Sequence, residues 1–268
     1  TYYNDSPDPL PYLWMQLDEN QHSNINNAGY ESESDMPRQL TDRDLQRYSS
    51  DKKDNGFGFN ITKIVDVMGK SVSYTINKTM MRINLAQPLK PGEKMTFTVD
   101  WNYNLVNRME QGGRGGYEYF PEEDNYLFTM TQWYPRMCVY SDFQGWQNHQ
   151  FSGRAEFALT FGNFHVEMTV PSDHVVCATG ECQNYDKVLT PAQLARWKQA
   201  QTAKDVMEIV TLDEAKAAEK QKAKTTKTYI FEAKNVRDFA WGSSRKFVWD
   251  ALPVDIEGRK VMAMSFYG

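Results

Sequence analysis

The pattern that most constrains this fold is a series of short segments in which apolar and polar residues alternate. Four of them follow one another in the first half of the chain: 61–65, 72–76, 81–85 and 95–99. Turn-forming sequences such as Met68-Gly69-Lys70 and Lys90-Pro91-Gly92-Glu93 separate them. Alternation with a period of two places apolar side chains on one face of a strand. The four segments are therefore predicted to form an antiparallel meander with one buried and one solvated face.

Further strand patterns extend over the rest of the chain and make it mainly β. They are predicted at 12–17, in the segment that begins at Tyr126 and ends before Thr131-Gln132, in the alternating segment that leads to Phe161, and at 166–170, 228–233, 246–249 and 261–264. Residues 21–56 are polar, and we interpret them as a long surface excursion with one short helix near Thr41 to Tyr48.

The strand pattern is interrupted at Thr190. Thr190-Pro191-Ala192-Gln193 and Thr211-Leu212-Asp213-Glu214 are capping boxes, which start helices. Both helices are strongly polar, so residues 189–225 are predicted to be a helical insertion on the surface. The simplest organisation is a single β domain that spans residues 1–268 and carries this insertion.

Composition narrows the class of protein. Hydrophobic residues make up 40% of the 268-residue chain, which supports a packed core. No apolar segment approaches the 18 or so residues of a membrane span. The formal charge of -5 and the scattered basic residues give no reason to expect nucleic acid as a partner. We interpret the first residues as a trimmed strand and hairpin, with Asn4-Asp5-Ser6-Pro7 as the turn.

The cysteines leave two alternatives. If Thr179-Gly180 is a two-residue hairpin turn, Cys177 and Cys182 face each other at a distance that suits a disulfide. A bridge would indicate an oxidising compartment, such as the periplasm or the cell exterior. The alternative is two half-buried thiols. Cys138 is predicted to be a loop or core thiol in either case.

The segment from Tyr126 to Phe161 carries a resemblance to a known family. A strand ends in Thr131-Gln132, a short loop with Arg136 and Cys138 follows, and Asp142 comes next. This order resembles the amino-terminal domain of the aminopeptidase N-like zinc peptidases, the gluzincins. The resemblance implies a saddle-like, multi-stranded antiparallel β domain, in which Gln132 helps to bind the free amino terminus of a peptide.

Other positions extend the resemblance and also limit it. Arg237 and Asp238, within a Val-Arg-Asp-Phe-Ala segment, match a structural segment of the family, and Ala178-Thr179-Gly180 matches its hairpin. After the Thr-Gln loop, many family members have Pro-Cys-x-Asp-Glu-Pro. Here only Cys138 and Asp142 correspond to it, which indicates a divergent, bacterial branch. Thr131, Arg136, Asp142, Arg237 and Asp238 are therefore structural or cleft candidates, and none is assigned a catalytic role.

The zinc motif of the family, His-Glu-x-x-His, does not occur in the sequence. The resemblance thus implies a non-catalytic domain that forms one wall of a peptide cleft. Its partners would be a peptide substrate and the protein's own downstream catalytic domain, which would hold the zinc. No metal or other cofactor is expected in this chain, and the predicted location is the periplasm or the cell exterior.

Two alternatives remain open from the sequence. The chain could be a free-standing β-sandwich module that binds carbohydrate or protein through exposed Trp and Tyr, and a row of exposed aromatic side chains on a sheet face would favour this. It could also be a scaffold that descends from an inactive peptidase.

Overall fold

The computed structural model describes residues 1–26, 39, 41, 42, 45, 54–151 and 158–268. The strands, in chain order, are β1 (Tyr2–Tyr3), β2 (Leu10–Gln16), β3 (Asn60–Asp66), β4 (Tyr74–Asn77), β5 (Met80–Leu89), β6 (Lys94–Met95), β7 (Phe97–Asn102), β8 (Gly116–Phe120), β9 (Asn125–Met130), β10 (Arg136–Met137), β11 (Tyr140–Ser141), β12 (Gly145–Trp146), β13 (Gly162–Pro171), β14 (Val175–Ala178), β15 (Glu181–Cys182), β16 (Met207–Val210), β17 (Thr226–Val236), β18 (Trp241–Ser244), β19 (Val248–Ile256) and β20 (Arg259–Tyr267). The helices are α1 (Arg108–Gln111), α2 (Tyr185–Val188), α3 (Pro191–Ala200) and α4 (Leu212–Lys220), with a 3-10 helix at Asp18–His22.

The chain is mainly β and its paired strands are antiparallel, as the alternation predicts. No described helix is both long enough and apolar enough to cross a membrane. The short helix predicted near Thr41 to Tyr48 lies mostly outside the described residues, and so does part of the predicted strand that leads to Phe161. The chain forms two compact units, Thr1–Val106 with Gln132–Thr160 (unit 1) and Asn107–Thr131 with Phe161–Gly268 (unit 2).

Unit 1 is built on a four-stranded sheet of order β10-β2-β5-β4 and on the pair β3-β7. The strands of the predicted meander exist, and β4 pairs with β5 across a tight turn as a meander requires. The predicted order is wrong for β3, which pairs with β7. The central strand β2 supplies Leu10, Leu13 and Met15 to a core that also contains Met81 and Ile83 of β5. Burial of this apolar set, rather than adjacency along the chain, therefore decides which strands meet.

Unit 2 contains the sheets β14-β18-β9-β8, β13-β17-β15 and β16-β19-β20. Both predicted capping boxes are confirmed, at Thr190 with Gln193 and at Thr211 with Glu214. The region between them is not only helical, because β16 pairs with β19 there. Helix α3 packs its Trp197 ring 5.1 Å from that of Trp249.

The two-residue hairpin that would align Cys177 with Cys182 does not form at Thr179-Gly180. β14 pairs with β18 and β15 pairs with β17, so the two strands belong to different sheets. The cross-strand alignment of Cys177 with Cys182, on which the possible disulfide depends, is therefore not formed. Cys138, Cys177 and Cys182 are free thiols.

The turn between β14 and β15 requires Gly180. Its φ is +89°, and a Cβ there would lie 2.2 Å from the carbonyl oxygen of Glu232. We expect Gly180→Ala to lower the free energy of unfolding by about 3 kcal/mol or more, because the strain of positive φ adds to a clash with backbone. Gly258→Ala is the matched control. Gly258 has φ +77° and open space around it, so only about 1 kcal/mol is expected in urea unfolding.

Equal losses for the two alanine variants would contradict this assignment. They would mean that the close approach to Glu232 is relieved at no cost and that only backbone strain matters.

Candidate functional site

Gln132, the residue singled out by the sequence, has an unusual backbone and an unusual environment. It lies two residues after the end of β9, with φ +57° in the left-handed region. This conformation is uncommon for a residue other than glycine, and it costs on the order of 1 kcal/mol. Its side chain is nevertheless buried, since only 7% of the residue is exposed.

The side-chain amide of Gln132 forms no hydrogen bond within the part of the chain that the structure describes. Its nitrogen and oxygen are not among the enclosed side-chain atoms that lack a partner, so solvent still reaches the amide although little of the residue is exposed. The amide can therefore donate and accept hydrogen bonds to a ligand.

Thr131, the preceding residue, shows a similar deficit. Its Oγ1 is buried and has no hydrogen-bond partner among the described residues. Gly115 packs closely against it, because a Cβ at Gly115 would lie 3.1 Å from both the carbonyl oxygen and Oγ1 of Thr131. The absence of a side chain at Gly115 thus allows the close approach of the two backbones in unit 2.

The loop after Gln132 is held by contacts within unit 1. The Trp133 carbonyl accepts a hydrogen bond of 3.3 Å from Nε1 of Trp101, and the two indole rings lie 6.2 Å apart. Trp101 belongs to β7, so the loop is anchored to a regular strand. Such anchoring fixes the position of a residue that is itself irregular.

Arg136 forms the strongest polar contact of this region. Its Nε and Nη2 lie 2.8 and 2.7 Å from Oδ2 of Asp18, and its side chain is 3% exposed while that of Asp18 is fully buried. The pair lies where β10 meets β2, with Arg136 opposite Gln16 in the antiparallel register. The sequence identified Arg136 as a cleft candidate, and its contacts in the structure include this buried ion pair.

Glu19, beside Asp18 in the 3-10 helix, was missed by sequence reasoning. It is 6% exposed, and burial, with a smaller contribution from the Asp18 charge, raises the pKa of its carboxyl to about 8. Burial is the main cause of the raised pKa of the Tyr103 phenol, and the nearby Glu19 carboxyl adds to it. At neutral pH Glu19 is thus a protonated, neutral group.

The other sequence candidates lie elsewhere. Asp142 is exposed on the turn between β11 and β12. The Arg237 guanidinium lies 4.9 Å from the centroid of the Phe161 ring and forms a cation–π contact with it. Asp238 accepts a hydrogen bond of 2.9 Å from the amide of Phe239. These contacts are structural in character.

None of the three cysteines is an accessible nucleophile, and neither is Ser243, which contacts His174. Burial raises the pKa of all three thiols, and Cys138 is fully buried. Nδ1 of His174 lies 2.8 Å from Oγ of Ser243, but both residues are buried. Burial, followed by the charge of Arg245, lowers the pKa of His174 to about 4, so the contact is part of the core of unit 2.

The described residues do not fit a metal site. Among them, no group of three or more His, Cys, Asp or Glu side chains is arranged to hold a metal ion. Zinc needs at least three protein ligands with tetrahedral geometry. No chemical step is therefore assigned to a metal in this chain.

In the comparisons with known proteins, this chain is similar to solved structures only. No protein-family model matches the sequence, and no curated protein matches it either. An M1 zinc metallopeptidase from Deinococcus radiodurans is similar with a TM-score of 0.47 and 11% identity, over 98% of this chain and 40% of the peptidase. A mutant of an enzyme so named, bound to a Tyr-Ser-Ala substrate, gives a TM-score of 0.47 and 11% identity, over 98% and 41% of the two chains.

A two-domain M1 zinc metallopeptidase mutant bound to L-tryptophan has a TM-score of 0.45 and 10% identity, over 100% of this chain and 45% of that one. The chain thus spans less than half the length of each of these peptidases. Similarity at this level does not assign the chain to a family.

Proposed function

We propose that this chain is the non-catalytic amino-terminal domain of a zinc aminopeptidase-like protein, and that Gln132 binds the amino terminus of a peptide substrate. The observation that carries the proposal is the amide of Gln132, which forms no hydrogen bond with the described residues and belongs to a residue with a strained backbone. Such strain is tolerated where function requires it. The Thr131-Gln132 motif, which resembles that of the family, occurs at this same position.

The chemistry of an amide suits this role. Its oxygen accepts a hydrogen bond from an ammonium group without introducing a second buried charge. A hydrogen bond to a charged partner contributes about 1.5–3 kcal/mol, which is more than a neutral bond contributes. Gln132 would therefore distinguish a free amino terminus from a blocked one, which has no ammonium group.

In this proposal, a part of the protein outside this chain cleaves the peptide bond. In the proposed parent protein, zinc in a downstream catalytic domain would activate the attacking water. This chain would contribute one wall of the peptide cleft and the contact to the substrate end. A periplasmic or extracellular location is part of the same proposal, but it gains no support from the cysteines, because Cys177 and Cys182 are free.

The proposal is tested by a nuclear magnetic resonance titration of the chain with alanyl-alanine and with N-acetyl-alanyl-alanine. We expect the side-chain amide signals of Gln132 to shift with the free dipeptide only. Gln132→Ala should weaken binding about tenfold or more, because a charge-assisted hydrogen bond is lost. Gln111→Ala, at an exposed glutamine, should leave the affinity unchanged.

Equal binding of the free and the acetylated dipeptide would contradict the role of Gln132. Chelator-sensitive cleavage of an aminoacyl reporter by the chain alone would contradict its non-catalytic character.

One observation favours the rival proposal of a carbohydrate-binding module. Four aromatic side chains lie on one face of the β8–β9 pair, and Tyr119 and Tyr126 are exposed. The rings of Tyr119 and Tyr126 are 4.8 Å apart, however, and Tyr126 also stacks on Phe128 at 6.0 Å. Because these rings pack against one another, they leave less ring face for stacking on a sugar. Tyrosine fluorescence that changes on titration with oligosaccharides would support the rival.

A further inference from the structure

Strand β20 (Arg259–Tyr267), nine residues long, forms one edge of the sheet β16-β19-β20 in unit 2. It pairs with β19, and no other strand of the described residues pairs with it. An edge strand presents a row of backbone N–H and C=O groups to which another strand can bond. The free edge of β20 can therefore accept one further strand.

The turn between β19 and β20 decides which backbone groups of β20 point outward. Glu257 and Gly258 both have positive φ, +53° and +77°, which is typical of a two-residue type I′ turn. The residues that flank this turn, Ile256 and Arg259, form a hydrogen-bonded pair, and such pairs alternate along the two strands. Pro253 agrees with this alternation, because it falls in a non-hydrogen-bonded pair and has no N–H to give to β20. The residues of β20 whose N–H and C=O groups point away from the sheet are thus Lys260, Met262, Met264 and Phe266.

The edge of β20 lacks the features that usually protect a sheet edge. Proline, charged residues, bulges and short length all discourage the addition of a strand. Residues 261–267 contain neither proline nor charge, and their register with β19 is unbroken. Lys260 lies at one end of the edge, and its Nζ donates a hydrogen bond of 3.0 Å to the carbonyl of Gln201, so this charge is engaged within the chain. Val261, Met264 and Tyr267 are exposed.

The other edge strands described in unit 2 are either protected or short. β13 is ten residues long, but it carries His165 and Glu167, its register shifts between Gly162 and Phe164, and it ends at Pro171. β8, β14, β15 and β16 have at most five residues each. Of these edges, β20 is the one that is both long and unprotected.

The edge of β20 is complementary to itself. Two copies that meet antiparallel about a two-fold axis at Ala263 place Lys260 of one copy opposite Phe266 of the other. Met262 then lies opposite Met264, so every outward-pointing residue meets another one, and each pair can exchange two backbone hydrogen bonds. The methionine side chains pack against each other, and no two basic residues of β20 face each other. Helix α3 leaves room for this contact, because it packs on β16 and β19.

We propose that the edge of β20 binds the same edge of a second copy of this chain. The two three-stranded sheets then join into one continuous sheet across the two-fold axis. The interface is small, since it is formed by one strand from each copy, so the dimer is weak and forms at micromolar concentrations. The inference goes beyond the proposed role of Gln132 and does not depend on it.

Analytical ultracentrifugation of the chain, from low micromolar to several hundred micromolar, measures this association. We expect a monomer–dimer equilibrium for the wild type. Met264→Pro removes an outward N–H but no bond to β19, so the variant should remain monomeric while circular dichroism shows that it is folded. Met264→Lys should weaken the dimer about tenfold or more. Met109→Lys, at an exposed methionine outside the edge, should associate as the wild type does.

Oxidative cross-linking tests the register of the two strands. The two-fold axis places Ala263 opposite the same residue of the second copy, in a non-hydrogen-bonded pair with Cα atoms about 4.5 Å apart, which suits a disulfide. Ala263→Cys should therefore give a covalent dimer on mild oxidation. Ser265→Cys is the matched control, because two residues at that position would lie about 13 Å apart along the strands and should not cross-link.

Three outcomes overturn the proposal. The first is a dimer that is as strong in Met264→Pro as in the wild type, since the contact would then lie elsewhere. The second is equal cross-linking of the two cysteine variants, which would exclude the two-fold axis at Ala263. The third is a chain that is monomeric at every concentration, which would leave the edge of β20 to a strand of a different polypeptide.

Discussion

Arg136→Met is expected to lower the free energy of unfolding of unit 1 by about 3–5 kcal/mol. The substitution removes the guanidinium that lies 2.7 Å from Asp18 and leaves the Asp18 carboxylate fully buried without its cation. Most of the cost comes from the desolvation of the Asp18 carboxylate, which the guanidinium no longer offsets, rather than from the lost attraction. Urea unfolding followed by tryptophan fluorescence measures the effect.

The same substitution at Arg108 provides the matched control. Arg108 pairs with Glu118 at 3.2 Å, but their side chains are 34% and 25% exposed. Water screens an ion pair at this exposure, so Arg108→Met should cost no more than about 1 kcal/mol. If the two variants lose the same stability, the buried pair has no special role in holding β10 against β2.

The contrast between Gln132 and Glu19 shows what the sequence could predict of the candidate site. Gln132 was identifiable because it ends a clear strand pattern and belongs to a recognisable pair with Thr131. Glu19 lies in Asp18-Glu19-Asn20, a polar sequence that is typical of a solvent-exposed turn after a strand. The structure buries all three residues. Asp18 meets its cation across a sequence separation of 118 residues, which no local pattern records.

The fold shows the same division between local and non-local information. Alternation located most of the strands, and the capping boxes located the starts of α3 and α4, because both signals depend on neighbouring residues. Strand pairing depends on contacts that are distant along the chain, so the pairing of β3 with β7 and the separation of β14 from β15 were not foreseen. β16 was missed because four residues between two polar helices are too few to show a period.

Glu19→Gln is expected to make the chain more stable than the wild type in alkaline solution, with a difference that grows as the pH rises. The folded carboxyl has a pKa of about 8, compared with 4.5 for the ordinary group. Between these pKa values the folded state holds a proton that the unfolded state has lost. The contribution of the Glu19 carboxyl to the free energy of unfolding is therefore fully present below about pH 4.5, and it is lost as the pH rises through about 8. At about 1.4 kcal/mol per pKa unit, up to about 5 kcal/mol is lost across this range.

Glutamine resembles the protonated carboxyl in shape and does not ionise, so the variant lacks this loss. The two proteins should have nearly equal stability in urea unfolding at pH 5 and should differ by several kcal/mol at pH 9. Other titrating groups, including His174 with its lowered pKa, are common to both proteins and cancel in the difference. Stability curves that remain parallel from pH 5 to pH 9 would show that Glu19 ionises normally in the folded chain.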